Sequence, residues 1–177
     1  MKKMNNLKLA QKLGLIVLLL LGIFMIFLAW YKHTYSMEIA QVYELNSPSL
    51  ERKLLIGTQS SEFKDSVVAG IVDHYGSDAI FIKVIDVSAL ENVDPSDFDA
   101  VLIIHTWEIG KPPEPVQSFM DKNTDARNKI VALTTSGEGS EKMENVDAIT
   151  GESIIEDAPL VAEKIIARLN PLLATEN

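Results

Sequence analysis

The chain reads as an α/β protein: a doubly wound, parallel, five-stranded sheet that follows one N-terminal transmembrane helix. Three observations predict this. Residues 13–31 carry no charge. Beyond them, short apolar runs alternate with helical periodicities. One run, Asp99–Trp107 ("DAVLIIHTW"), is so uniformly apolar that it suits only a strand covered on both faces.

The uncharged run "LGLIVLLLLGIFMIFLAWY" is 19 residues long. As a helix it extends about 28 Å, close to the ~30 Å hydrocarbon thickness of a bilayer. Trp30 and Tyr31 close it, where amphipathic rings favour the interface. A cleavable signal peptide would have a shorter apolar region and small residues at its cleavage site, whereas this run ends in bulky rings, which favours a retained anchor. Lys2, Lys3, Lys8 and Lys12 precede the span and Lys32 follows it. The positive-inside rule therefore keeps the N-terminus cytoplasmic and exports the rest. The expected organisation is a basic cytoplasmic tail (1–12), a transmembrane helix (13–31), a juxtamembrane stalk (32–51) and one folded domain (52–177).

All 25 acidic residues follow the span, against 12 of the 16 Lys and Arg, so the exported part has a net charge of −13. That disfavours nucleic acid and anionic membrane surfaces as partners, since both need clustered positive charge. The lipid bilayer around 13–31 is the one partner the sequence names. With no cysteine, disulfides and thiol chemistry are excluded.

The stalk ends in the turn signal "NSPS" and has room for one short helix around Ser36–Leu45. Lys53–Gly57 is a buried strand. A helix over Glu62–Tyr75 places Phe63, Val67, Ile71 and Tyr75 on one stripe, with Ser60 or Ser61 as its cap and Gly76 beyond its end. Strands follow at Ala79–Val87 and Asp99–Trp107, then a helix at Glu114–Lys122 that packs Val116, Phe119 and Met120. Lys129–Thr135 and Val146–Thr150 complete the sheet. The segment between them is short for a crossover, so its helix looks vestigial. A last helix starts near Asp157, aligns Val161, Ala162, Ile165, Ile166 and Leu169, and is expected to end at Pro171.

In doubly wound sheets ligands sit outside the carboxyl ends of the strands. The turns there are "TQSSEF", "HTWEIGKPP" and "TTSGEGSEK". These turns, with the strand–aromatic–Pro–helix order of "DAVLIIHTWEIGKPPEPVQSFMDK" and the later "NKIVALTTSGEG", resemble the flavodoxin pattern over 52–169. The resemblance implies strand order 2-1-3-4-5 and an FMN site for electron transfer or quinone reduction. It assigns cofactor contacts to Thr58, Gln59, Ser60 and Ser61 in the first turn. His105, Thr106 and Trp107 in the second would place the flavin ring against Trp107, and Thr135, Ser136 and Gly137 belong to the third.

The first turn departs from the family's Ser/Thr-x-Thr-Gly-Asn-Thr. Ser61 replaces the Gly, Glu62 the Asn and Phe63 the last Thr. A carboxylate at 4 Å from a phosphate charge costs about 4 kcal/mol at an effective dielectric of ~20, enough to cancel micromolar binding. Glu62 is therefore expected to repel FMN, and no cofactor is favoured. Two function classes remain: a binding module without flavin, or an FMN-binding electron-transfer or quinone-reductase type of flavoprotein.

Other chemistry is thinly represented. His33, His74 and His105 are too scattered for a metal site, and Asp94, Asp97 and Asp99 lie at the opposite edge of the sheet from the ligand turns. A hydrolase pairing Ser60 or Ser136 with His105 would lack the Gly-x-Ser-x-Gly elbow. No catalytic residue is assigned.

Overall fold

The computed structural model describes residues 2–35, 38–108 and 110–174, and side chains over 11–30, 38–108 and 110–174. Tyr31, His33 and the flanking Lys2, Lys3, Lys8 and Lys32 therefore lie outside the described side chains. The chain divides into two compact units, 1–37 and 38–177.

The first unit holds one helix, α1 (Lys2–Tyr35). Its stretch Gln11–Trp30 is long and apolar enough to cross a membrane, with mean hydropathy 2.9.

The second unit is a six-stranded sheet flanked by helices. Its strands are β1 (Tyr43–Leu45), β2 (Arg52–Thr58), β3 (Ile80–Asp86), β4 (Ala100–Thr106), β5 (Ile130–Thr135) and β6 (Asp147–Gly151). They lie in the order β1-β3-β2-β4-β5-β6, with β1 antiparallel and the other five parallel. The parallel strands thus have the 2-1-3-4-5 order of the flavodoxin type of doubly wound sheet. The helices are α2 (Glu62–Tyr75), α3 (Glu114–Lys122) and α4 (Ala158–Leu173).

Alternation along each strand divides the core. Leu54, Ile56, Ile82, Leu102, Ile104 and Leu133 pack under α2 and α4. Leu55, Ile85, Val101, Ile103 and Ala132 pack on the opposite face with α3 and the 3-10 turn Val87–Asn92. β4 has all residues from Ala100 to His105 buried, as expected of a central parallel strand. On this face Gly57 leaves room for Leu90, whose Cδ2 would lie 3.0 Å from an added Cβ. Of the three acids at the amino edge, Asp94 caps Ser96 (2.8 Å) and Asp99 accepts the Lys53 N–H (2.7 Å), so both serve turns.

Two expectations need correction. Tyr43–Leu45 is a sixth strand rather than part of a helix, held by Glu44–Lys83 (3.0 Å) and by pairing along the edge of β3. The preceding residues cross to the first turn, where Ala40 N–H donates to the buried Asp86 Oδ2 (2.9 Å) and Ser60 N–H donates to Glu38 O (3.0 Å). Helix α4 also continues past Pro171 to Leu173. Leu173 is buried in the core and its carbonyl accepts Arg52 Nη1 (3.1 Å), which outweighs the one helical bond that proline removes.

Asp86 holds this strap, because its other oxygen accepts both Ser88 N–H (2.9 Å) and Ser88 Oγ (2.6 Å). Asp86→Ala should lower the unfolding free energy of the full chain by about 2 kcal/mol or more, by orphaning buried donors. It should also raise hydrogen exchange at Ala40. Unchanged protection at Ala40 would show that the strap is held by other contacts.

Candidate functional site

The turn after β2 is closed on itself. Thr58 Oγ1 donates to Gln59 O (2.7 Å), and Gln59 N–H donates to Ile104 O (3.1 Å). Ser61 is the N-cap of α2 in extended backbone, so glycine is not required there. Its Oγ accepts Lys64 N–H (3.3 Å) and its carbonyl accepts Asp65 N–H (2.8 Å), while Ser60 Oγ donates to Asp65 Oδ2 (2.8 Å). With Ser60 N–H taken by Glu38, the amides that would wrap a phosphate are largely engaged by the protein's own acceptors.

Glu62 is exposed at the first position of α2. A further obstacle lies beneath. Lys64, on the same helix, has no exposed surface, and its Nζ donates to Thr106 Oγ1 (2.8 Å). Thr106 Oγ1 in turn lies 2.8 Å from Thr135 Oγ1. The ammonium therefore sits below the carboxyl ends of β4 and β5.

Gln59 closes the remaining space. Its side-chain oxygen accepts Thr106 N–H (2.8 Å) and its Nε2 approaches Glu108 Oε1 (3.5 Å). Thr58, Gln59 and Thr135 are all buried. The structure thus brings Gln59, Thr106 and Thr135 together around Lys64, and leaves Ser61 as a helix cap and Gly137 exposed.

His105 lies on the opposite face. It is fully buried, with Nε2 3.2 Å from both Thr134 Oγ1 and Met143 Sδ. Burial pushes its pKa down to about 4, so the ring is neutral at physiological pH and is no ready proton donor. Trp107 extends the β4–β5 ladder through its N–H to Thr135 O (2.9 Å), and its indole Nε1 is buried. Ser136 N–H donates to Gly151 O (3.2 Å). The second turn then reverses at Gly110, whose φ of 74° favours glycine, between Glu108 and Lys111.

Lys64, Glu108 and Met143 escaped sequence reasoning. A signal existed for Lys64: positions 64, 68, 71 and 75 fall on one helical face, and Val68, Ile71 and Tyr75 are all buried there. A lysine on that stripe had to be either snorkelling or satisfied inside.

Burial lowers the Lys64 pKa from 10.5 to about 8, partly opposed by Asp65 and Glu108. Both folded and unfolded states are protonated below pH 8, where the cost of burying the charge is complete. Between pH 8 and 10.5 the unfolded chain binds more protons, so this group's cost is relieved as pH rises. Lys64→Met should therefore be stabilising near pH 7, by up to about 3 kcal/mol. The advantage should shrink towards pH 10.5, as read from denaturation of both chains across that range. A pH-independent difference would place the ammonium in water.

No protein-family model matches the chain, and no curated protein matches it. Among solved structures it is similar to a flavodoxin from Archaea, at 15% identity and TM-score 0.47, over 68% of this chain and 98% of that one. It is also similar to a flavodiiron core from Synechocystis sp. PCC6803, at 10% identity and TM-score 0.49, over 70% of this chain and 36% of that one. An oxidoreductase from Corynebacterium diphtheriae is similar at 14% identity and TM-score 0.44, over 73% of this chain and 100% of that one.

Proposed function

We propose that this chain is a membrane-anchored flavodoxin-like domain that serves as a ligand- or partner-binding module without an FMN-phosphate grip. The observation that carries this reading is the fully buried Lys64 side chain, tied to the Thr106–Thr135 pair beneath the first turn. A phosphate would have to displace Glu38 from Ser60 N–H and reopen a turn packed from below. The residues present therefore do not fit FMN held in the family's manner.

One observation favours the alternative of an FMN-binding electron-transfer or quinone-reductase type of flavoprotein. The nearest buried charge, Lys64, is a cation, which offsets part of the repulsion that Glu62, Asp65 and Glu108 would exert on an anion at this turn. Closure adds to that repulsion as a barrier. The full chain purified in detergent should accordingly be colourless, and excess FMN should leave its melting temperature unchanged. Binding at 100 times the dissociation constant would add about 2.7 kcal/mol. Replacing Ser61 with Gly and Glu62 with Asn should gain no FMN affinity. A yellow protein, or a gain from that pair, would reverse the reading.

Placement completes the proposal. The apolar stretch of α1 is a retained anchor, the N-terminus is cytoplasmic, and the domain is exported. The sequence has no cysteine, so a Ser66→Cys variant carries one reporter on the exposed side of α2. A membrane-impermeant maleimide should label it in intact cells. Labelling only after lysis would place the domain inside.

A further inference from the structure

The strap of residues 38–45 does not lie flush on the domain. Between it and α2 runs a cavity of about 270 Å³. Its apolar part is made by Ala40, Val68 and Val84, all buried. Gln41, Tyr43 and Asp65 line it too and are exposed, so solvent reaches the cavity with no movement of the chain. Register places Tyr43 there. It pairs with Val84 and so shares that residue's face of the sheet, the face that α2 covers.

Most donors around this cavity are taken. Ser60 N–H donates to Glu38 O (3.0 Å), Ser60 Oγ to Asp65 Oδ2 (2.8 Å), Ala40 N–H to Asp86 Oδ2 (2.9 Å) and Thr58 Oγ1 to Gln59 O (2.7 Å). Acceptors are left over. Among the described residues, Asp65 is the only charged one on the lining. Its Oδ1 accepts no hydrogen bond there, and it has no ion pair. The neighbouring bases are engaged elsewhere: Lys64 Nζ with Thr106 Oγ1 (2.8 Å), and Lys83 with Glu44 (3.0 Å) on the opposite face of the sheet from Tyr43. The Tyr43 hydroxyl has no hydrogen-bond partner among the described residues. Burial pushes its pKa up, and the carboxylates of Asp65 and Asp73, about two turns apart on α2, push it the same way. The phenol therefore stays protonated in a negative field.

We propose that this cavity binds a small primary ammonium on a short aliphatic body, with the Asp65 carboxylate as its anchor and the Tyr43 oxygen as a further acceptor. The inference rests on the reading of the domain as a flavin-free binding module and supplies its ligand class. An ammonium brings three donors and no acceptor, the complement of a lining whose own donors are mostly engaged. Its bond to a carboxylate is charge-assisted and so of the stronger kind. The surface of Ala40, Val68 and Val84 takes the aliphatic part. A metal ion is a poorer match, since among the described residues no three acidic or histidine side chains are placed to hold one. The volume falls just under the ~300–1,000 Å³ of ordinary ligand pockets, which limits the occupant to a small molecule.

The test uses the full chain in nanodiscs with 3-fluorotyrosine at its four tyrosines, Tyr31, Tyr35, Tyr43 and Tyr75. Tyr43→Phe assigns the ¹⁹F signal of interest. Butylammonium should shift that signal saturably in the millimolar range and leave Tyr75, buried in the core, unmoved. Butan-1-ol, of the same length but uncharged, should bind about fivefold more weakly, as should butylammonium to Asp65→Asn, which keeps an acceptor for Ser60. Glu163→Gln, which removes an exposed acid on α4, should leave the affinity unchanged. No saturable shift with butylammonium would mean that the cavity holds only water, and the proposal fails. Equal binding of the alcohol would remove the charge from it, overturning the claim without any variant that might misfold. Equal weakening by Glu163→Gln would trace the effect to the net negative charge of the domain and overturn it too. A yellow sample would instead sink the flavin-free reading, and the visible spectrum scores that independently of the amine.

Discussion

The constraint on which the ligand edge depends is one ammonium group taken out of water. Lys64 enters the core from α2, and its Nζ finds Thr106 Oγ1 at 2.8 Å below the ends of β4 and β5. Burying a charge is costly unless it is hydrogen-bonded, and the Thr106–Thr135 pair supplies that bond. The arrangement fixes several neighbours at once. Thr106 must present its hydroxyl downward, its N–H is then held by the Gln59 side chain, and Gln59 must stay buried in the turn. A single side chain thus turns a loop that could open to a ligand into part of the core.

Much of the fold was legible because its driving pattern is simple. Strands buried on both faces must be continuously apolar, and "AVLIIH" in β4 is. Helices covering one face must show a stripe, and Phe63, Val67, Ile71 and Tyr75 do. What escaped was set by tertiary partners. Tyr43–Leu45 has no strand pattern of its own and is ordered by the free edge of β3. Pro171 carries a local stop signal, but burial of Leu173 overrides it. The first turn was read through Glu62, the residue whose charge is visible in a string of letters. The direction of a side chain at a helix start is not, and Glu62 faces solvent while Lys64 faces in.

The strap from Glu38 to Leu45 shows the same rule at a larger scale. Its edge pairing is only three residues long, too little to order a segment alone. It is secured at its other end by a buried carboxylate, Asp86, and by the amide of Ser60. Both partners belong to the carboxyl edge of the sheet. The residues that follow the apolar helix in sequence are therefore built into the first turn itself, and the turn's hydrogen-bonding capacity is spent on them.

The two ends of the carboxyl edge have consequently been treated in opposite ways. At β2 the strap, the Ser61 cap and Lys64 satisfy the polar groups and exclude an anionic ligand. At β4 and β5 the crossover to β6 has lost its helix, and an extended segment covers the sheet thinly. β6 has no fully buried residue, whereas β5 is buried throughout. A missing helix removes apolar cover and polar partners, and among the described residues two unpaired buried nitrogens, on His105 and Trp107, lie at the carboxyl end of β4 rather than in the turn that the fold type makes conspicuous, while a third, on Arg127, precedes β5. Fold topology says where the strands end. The local accounting of donors and acceptors says which of those ends still has something left to bind with.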